Sequence, residues 1–261
     1  MAEIRAIVLR AAGINCDLET EHALELAGAD AQRIHINRLI ESPAILDDFQ
    51  IMVIPGGFSY GDDVAAGKIL ANQLIHHLAD SVRKFIDDGK LVLGICNGFQ
   101  VLVKAGILPG GELAGAEKAV TITYNDSGKF EDRWVYLEPM TDNCVFIEPG
   151  RRIYLPIAHG EGKVVTADED ALEQLKSQDS VALKYVDQDG NEGPFPVNPN
   201  GSTESIAGLT DPTGRVLGLM PHPERFVRST QHPRFTRIKA DVDADGMTIF
   251  NNAVKYIREN L

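Results

Sequence analysis

An α/β fold is predicted for this chain: a mostly parallel sheet covered by helices on both faces, with an antiparallel β addition in the second half. Three observations predict it. Short β-rich apolar runs alternate with helical patterns up to about Ala105, extended segments dominate from Ala119 to Val186, and a helical pattern closes the chain over Phe250 to Glu259. Alternating strands and helices imply crossover connections, which give a parallel sheet buried on both faces.

Taken in order, Ile4 to Leu9 reads as a strand and Leu18 to Ala27 as an amphipathic helix entered from Asn15 or Asp17. Ala31 to Ile36 and Ile51 to Ile54 are further strands, and Asn72 to Asp87 is helical. Leu91 to Ile95 has the continuous apolar run of a buried strand, and Gly98 to Lys104 begins another helix. Turn signals at Asn125 to Gly128 and Glu148 to Gly150 divide the extended region. A loop rich in Pro, Asn and Gly runs from Gly193 to Ser202, and Val216 to Met220 is a last strand. With no internal repeat or clear linker, residues 1–261 are expected to form one domain.

Bulk properties narrow the function without selecting it. A net charge of −13 disfavours broad contact with nucleic acid or an anionic membrane, since both are themselves negative. No run of about 18 apolar residues is present, so no membrane span is expected. Arg5 and Arg10 interrupt the N-terminal apolar stretch and spoil it as a signal peptide. Cys16, Cys96 and Cys144 are too few and too scattered for a disulfide framework or a zinc site. Reduced thiols, a cytoplasmic location and no bound metal are the expectations.

The most informative stretch is Leu91-Val-Leu-Gly-Ile-Cys96-Asn-Gly-Phe-Gln100. A strand ends in Gly94, then come Ile95, Cys96, Asn97 and Gly98, and a helix starts. This is the nucleophile-elbow arrangement with cysteine in place of serine, its glycines permitting a tight strand-to-helix turn. The helix N-terminus favours the thiolate. A buried structural cysteine beside two glycines is the plain alternative.

A nucleophile needs a base and a group to orient it. The last strand runs into Pro221-His222-Pro223-Glu224, where residues two apart in extended chain share a side. Glu224 can therefore reach the His222 ring. Neither proline can donate to a ladder, which places the segment at a strand end or edge. His232 is also followed by proline, but Arg234 stands where a carboxylate is needed. His76 and His77 are adjacent on a helix and read as structural. Acyl chemistry also needs oxyanion donors. The loop Pro55-Gly56-Gly57-Phe58 lets backbone approach a ligand, so Gly57 N–H and Asn97 N–H are the candidate pair; a plain turn is the alternative.

These pieces resemble the class I (triad) glutamine amidotransferases, in which Cys, His and Glu occur in this order. Four longer stretches are similar to the glutaminase subunits of phosphoribosylformylglycinamidine synthase: Gly56 to Asp62, Pro156 to Gly162, Asn198 to Ser202 with Ile206 to Gly208, and His222 to Arg225. The likeness runs from about Ile4 to the C-terminal helix. It implies a step of purine biosynthesis in which Cys96 attacks glutamine, His222 shuttles protons and Glu224 orients His222. It implies Gln100, one turn past Cys96, as a substrate contact, with Phe58 beside it and His159 and Glu161 lining the site. It implies no cofactor in this chain. ATP and magnesium would sit on a large synthetase partner that receives the ammonia, with a small bridging subunit in the complex.

Two features depart from that pattern. The chain is longer than many separate glutaminase subunits, with the extra residues placed between Leu113 and Gly150. Ala11 to Asp17 also differs from the usual Pro-Gly-Thr/Ser-Asn-Cys-Asp. Three segments compete for a role. Cys16 also lies between a strand and a helix but lacks flanking glycines. Asp241 to Gly246 begins like a calcium loop, yet Asn252 stands where a bidentate glutamate is required. Arg225, Arg228, Arg234, Arg237 and Lys239 form a basic run that is either a docking patch or a solvated loop. A free-standing cysteine hydrolase and a non-catalytic binding module are the rival functions.

Overall fold

The computed structural model describes residues 3–110, 119–237 and 244–261. Its strands are β1 (Arg5–Arg10), β2 (Asp30–His35), β3 (Ile51–Ile54), β4 (Leu91–Ile95), β5 (Val120–Tyr124), β6 (Glu131–Pro139), β7 (Ile153–His159), β8 (Glu161–Thr166), β9 (Val181–Val186), β10 (Ile206–Thr210) and β11 (Val216–Leu219). The helices are α1 (Asp17–Ala27), α2 (Ile36–Glu41), α3 (Lys68–Gln73), α4 (Ala79–Asp87), α5 (Asn97–Lys104), α6 (Glu169–Ser177) and α7 (Gly246–Asn260).

One sheet runs through both halves of the chain in the order β2-β1-β3-β4-β11-β10-β9-β6-β7. Pairing is parallel from β2 to β11 and antiparallel from β11 to β7. The antiparallel addition is therefore a continuation of the parallel sheet. β5 and β8 form a separate antiparallel pair. Every residue of β3 and β4 is buried. Because neighbours along a strand point to opposite faces, that means both faces are covered. Helix α1 packs on β1 and β2 and against α7, while α5 packs on β4 and β11 and against α3.

Some boundaries differ from the sequence reading. The second strand stops at His35, and Ile36 opens α2, whose first turn is capped by the His35 ring accepting from Asn37 N–H. The helix expected over Asn72 to Asp87 begins at Lys68 and is interrupted by a π turn at Leu74–Leu78, with His76 and His77 exposed on it. Helix α6 lies within the region read as extended. Asp168 caps it, accepting from Ala171 N–H at 2.8 Å, and Ala171 and Leu175 turn inward. Residues 113–118 of the stretch between Leu113 and Gly150 fall outside the described residues, and the remainder forms β5, β6 and their turns.

The consequence for function lies at the β4–β11 pairing. Leu219 sits opposite Ile95, and Cys96 N–H donates to Leu219 O at 2.8 Å. Both strands end at the same edge of the sheet, so the Cys96 turn and the Pro221-to-Glu224 segment meet there. This is the carboxyl edge of a parallel sheet, where ligands of α/β proteins bind.

Candidate active site

Cys96 occupies the turn between β4 and α5 with φ +51° and ψ −104°, a conformation that non-glycine residues rarely hold. Such backbone strain costs about 1–3 kcal/mol and is retained where it exposes a reactive group. The turn needs Gly98 because a Cβ there would lie 1.8 Å from Ile54 O. The Cys96 thiol is largely enclosed and lies 3.8 Å from Ala158 O.

His222 and Glu224 are delivered by the segment after β11. His222 N–H donates to Pro156 O at 2.8 Å, and Pro223–Arg225 form one 3-10 turn. The N-terminus of α7 presses on that turn, where a Cβ at Gly246 would lie 1.9 Å from Pro223 O. His222 Nδ1 and Glu224 Oε1 are 2.6 Å apart, and both side chains are buried. Burial alone would depress the His222 pKa. The Glu224 carboxylate outweighs it, helped by the Cys96 and Cys16 thiols, and holds the imidazole well above its ordinary value. With Nδ1 engaged by the carboxylate, Nε2 is left without a hydrogen-bond partner among the described residues.

Cys96, Gly57, Phe58, Gln100, His159 and Glu161 line one cavity of about 140 Å³, together with Asp62, Tyr124, Phe130, Ala158 and Gly160. A cavity well under the ~300 Å³ of drug-sized pockets suits a ligand the size of a free amino acid. Gly57 has φ +138°, and a Cβ there would lie 2.7 Å from Asn15 N, so only glycine fits. Asn97 opens α5, and its side chain ties the two loops together. It accepts from Ser59 N–H at 3.2 Å and donates to Asp62 Oδ1 at 3.2 Å and Gln100 Oε1 at 2.9 Å. Gln100 donates in turn to Glu161 O at 2.5 Å. Burial and the Glu161 carboxylate raise the pKa of Asp62.

The state of His159 is set by its neighbours. Asn125 Nδ2 donates to Lys129 O and His159 O, which fixes Oδ1 as the acceptor for Gly162 N–H and His159 Nδ1. Nδ1 therefore carries the proton, and Nε2 is a bare, buried acceptor. Burial, with the nearby His222 charge, depresses the His159 pKa from 6.5 to about 3. The folded ring stays neutral while the unfolded one takes up a proton as pH falls through 6.5, so this contribution to stability is lost from about pH 6.5 down to about pH 3. His159→Gln should keep a donor to Asn125 and remove the titration. The stability lost between pH 7 and pH 5 should then shrink by about 2 kcal/mol relative to wild type, read by urea unfolding at both values. Parallel pH dependences would rule out a buried neutral His159.

The Asn198-to-Ser202 stretch, quoted from the sequence without a role for its individual side chains, completes the wall. Asn200 Nδ2 donates to Gly162 O at 2.8 Å, and Ser202 Oγ accepts from Val164 N–H at 3.0 Å. The Asn198-to-Ser202 stretch thus pins the β7–β8 corner that carries His159 and Glu161. Tyr124 and Phe130 come from beyond the quoted motifs, and Asn125 entered the sequence reading only as the start of a turn.

The competing segments resolve individually. Cys16 is buried behind the His222–Glu224 pair, with Arg225 Nη2 3.1 Å from its sulfur. Burial raises its pKa in spite of that cation. Cys144 is pushed up to about 11 by burial. Arg225 leaves the basic run, because its Nε donates to Glu19 Oε1 at 3.0 Å and it is half-buried. Arg228 pairs with the His22 ring, and Lys239 lies outside the described residues. His232 stacks among Trp134, Tyr154 and Phe226. Residues 241–243 of the calcium-like run lie outside the described residues; Asp245 accepts from Tyr154 N–H and from Arg151. Among the described residues, Cys16, His222 and Glu224 are the group whose atoms could hold a metal. The guanidinium on the Cys16 sulfur opposes a cation there. No helix among the described residues is long and apolar enough to cross a membrane.

Residues 3–257 match the family of CobB/CobQ-like glutamine amidotransferase domains. The chain is 47% identical over 262 residues to the phosphoribosylformylglycinamidine synthase subunit PurQ of Dehalococcoides mccartyi, covering 99% of this chain and 100% of the relative. The PurQ subunit of Methanococcus maripaludis is 39% identical over 267 residues, with 98% of each chain covered. Among solved structures, a chain of PurLQS from Thermotoga maritima matches with TM-score 0.74 and 33% identity, covering 98% of this chain and 100% of that one.

Proposed function

Since the chain belongs to the CobB/CobQ-like glutamine amidotransferases, and within them to the PurQ subunits of phosphoribosylformylglycinamidine synthase, we propose that it hydrolyses glutamine and hands the ammonia to a separate synthetase. A single catalytic domain over residues 1–261 carries the reaction. The observation that carries the residue-level reading is Cys96 on its strained turn beside the buried His222–Glu224 pair, in a cavity of amino-acid size.

Cys96 sulfur attacks the side-chain amide carbon, and His222 Nε2 holds the thiol proton. The oxyanion is received by Gly57 N–H and Asn97 N–H. Collapse of the adduct breaks the C–N bond. His222 gives its proton to the departing nitrogen, which leaves as ammonia. The glutamyl thioester remains. Water then gives a proton to His222, attacks the thioester and releases glutamate, and the proton returns to sulfur. Glu224 keeps the Nδ1–H tautomer and stabilises the imidazolium in both halves. Gln100, Phe58, Glu161 and the bare Nε2 of His159 offer the contacts that hold glutamine. No step needs a cofactor in this chain.

The ammonia is used by a large cytoplasmic synthetase subunit that binds ATP and magnesium and converts formylglycinamide ribonucleotide to its amidine, with a small bridging subunit in the complex. Activity should be coupled to that partner. The loop after Gly57 carries positive φ at Tyr60, Gly61, Asp62 and Val64, and Val64 is 89% exposed. Backbone held in this sparsely populated region by hydrogen bonds to Ala12, Gly13 and Asn97 switches state when a docking partner competes for those bonds. Correct placement of one oxyanion donor is worth roughly 100- to 1000-fold in rate. Glutamate production by the purified chain should rise by about that factor when synthetase, bridging subunit, ATP and the formylglycinamide ribonucleotide are added. Equal rates in the two conditions would refute coupling, and fast cleavage of unrelated amides by the chain alone would favour a free-standing hydrolase.

A further inference from the structure

We propose that Arg225 and Cys16 are positioning residues for His222, forming a charge-backed brace that runs from the surface of α1 to the Nδ1 side of the imidazole. The proposal rests on the reading of His222 as the proton shuttle.

The brace is continuous. Glu19 Oε1 accepts from Arg225 Nε at 3.0 Å, Arg225 Nη2 donates to Cys16 Sγ at 3.1 Å, and Cys16, His222 and Glu224 place one atom each within 4.8 Å of one another. Gly56 completes the wall. A Cβ there would lie 2.7 Å from His222 Cε1 and 3.1 Å from Cys16 Sγ, so backbone and sulfur pack close against that edge of the ring.

Two features show why the brace is needed. Glu224 spends Oε1 on His222, but Oε2 is buried without a hydrogen-bond partner among the described residues. A buried carboxylate half-satisfied in this way requires a nearby positive charge. Arg225 supplies it from the adjacent position and acts on Glu224 through space. Secondly, Glu224 rides on a three-residue 3-10 turn, too short to hold its own orientation. Anchoring the last residue of that turn to Glu19 and Cys16 fixes the turn against α1. Cys16 suits the middle of the chain because a neutral thiol is a weak acceptor that packs like a small apolar group. It receives Nη2 without placing a second anion beside Glu224.

The groups facing His222 are Glu224 on its own turn, Cys96 at the elbow, Cys16 at the start of α1, Arg225 behind it and His159 on β7. Removing the Arg225 charge from this set lets protons bind the dyad more tightly. Arg225→Ala, assayed as the full chain with its synthetase, should lower kcat about 10- to 100-fold with KM within about twofold. The apparent pKa in the kcat/KM profile should move up. Arg225→Lys should return the pKa toward wild type while recovering only part of kcat, since lysine lacks the fork that reaches Glu19 and Cys16 together. Cys16→Ser should fall between wild type and Arg225→Ala. If Arg225→Ala does not fold cooperatively, Arg225→Lys and Cys16→Ser decide the matter alone. An unmoved pH profile in these variants, or a loss confined to KM, would overturn the brace. An inactive wild type would instead overturn the glutaminase reading on which it rests.

Discussion

Replacing Cys96 with alanine is expected to abolish glutamine hydrolysis, by on the order of 10⁴-fold or more, while leaving unfolding by urea cooperative. No other thiol can take its place. Cys16 is sealed behind the His222–Glu224 pair, and Cys144 is held protonated by burial with a pKa of about 11. A glutamine-derived electrophile such as a diazo-ketone analogue should therefore alkylate Cys96 and spare the other two. Peptide mass mapping checks this directly. Label found mainly on Cys16 would move the nucleophile to the start of α1 and overturn the elbow assignment. The variant should also be easy to fold, since alanine at φ +51° carries a strain similar to that of the cysteine it replaces.

His222→Ala should cost nearly as much, because nucleophile and base act as a unit and the loss of either leaves only binding and the oxyanion donors. Glu224→Gln should be milder, roughly 10²- to 10⁴-fold in kcat. The amide keeps the shape of the carboxylate but can present an N–H to Nδ1. That selects the wrong tautomer and removes the charge that holds the imidazole pKa up. Steady-state glutamate production in the presence of the synthetase measures both. Full activity in Glu224→Gln would strip the carboxylate of its assigned role.

How much of the fold and the site is legible in the sequence depends on whether the signal is local. β3 and β4 announce themselves as unbroken apolar runs ending in glycine-rich turns, and the strand-to-helix turn around Cys96 can be read from ten adjacent residues. His222 and Glu224 are two residues apart, so their pairing needs no tertiary information. Helix α6 escapes a sequence reading, although Asp168 caps it and Ala171 and Leu175 are spaced one turn apart. It is short and set between strands, so the extended pattern on either side obscures its period. Arg225 misleads for the opposite reason: a run of like charges looks solvated until Glu19, 206 residues away, is found to face it. The tautomer of His159 depends on Asn125, 34 residues earlier, and on a glycine amide. Nothing along the chain marks such a convergence.

The register of β4 on β11 also has a consequence for how the protein is made. Synthesis delivers β1 to β4 and the Cys96 elbow early, but the strand that pairs with β4 arrives more than a hundred residues later, carrying the base with it. Until then the free side of β4 is an exposed row of backbone donors and acceptors on an entirely apolar strand, a template for pairing with any other extended chain. Such non-local pairing is slow and leaves a nascent chain open to aggregation. The same arrangement has a protective side. A chain released before β11 carries a cysteine but no base, so an unfinished copy cannot consume glutamine.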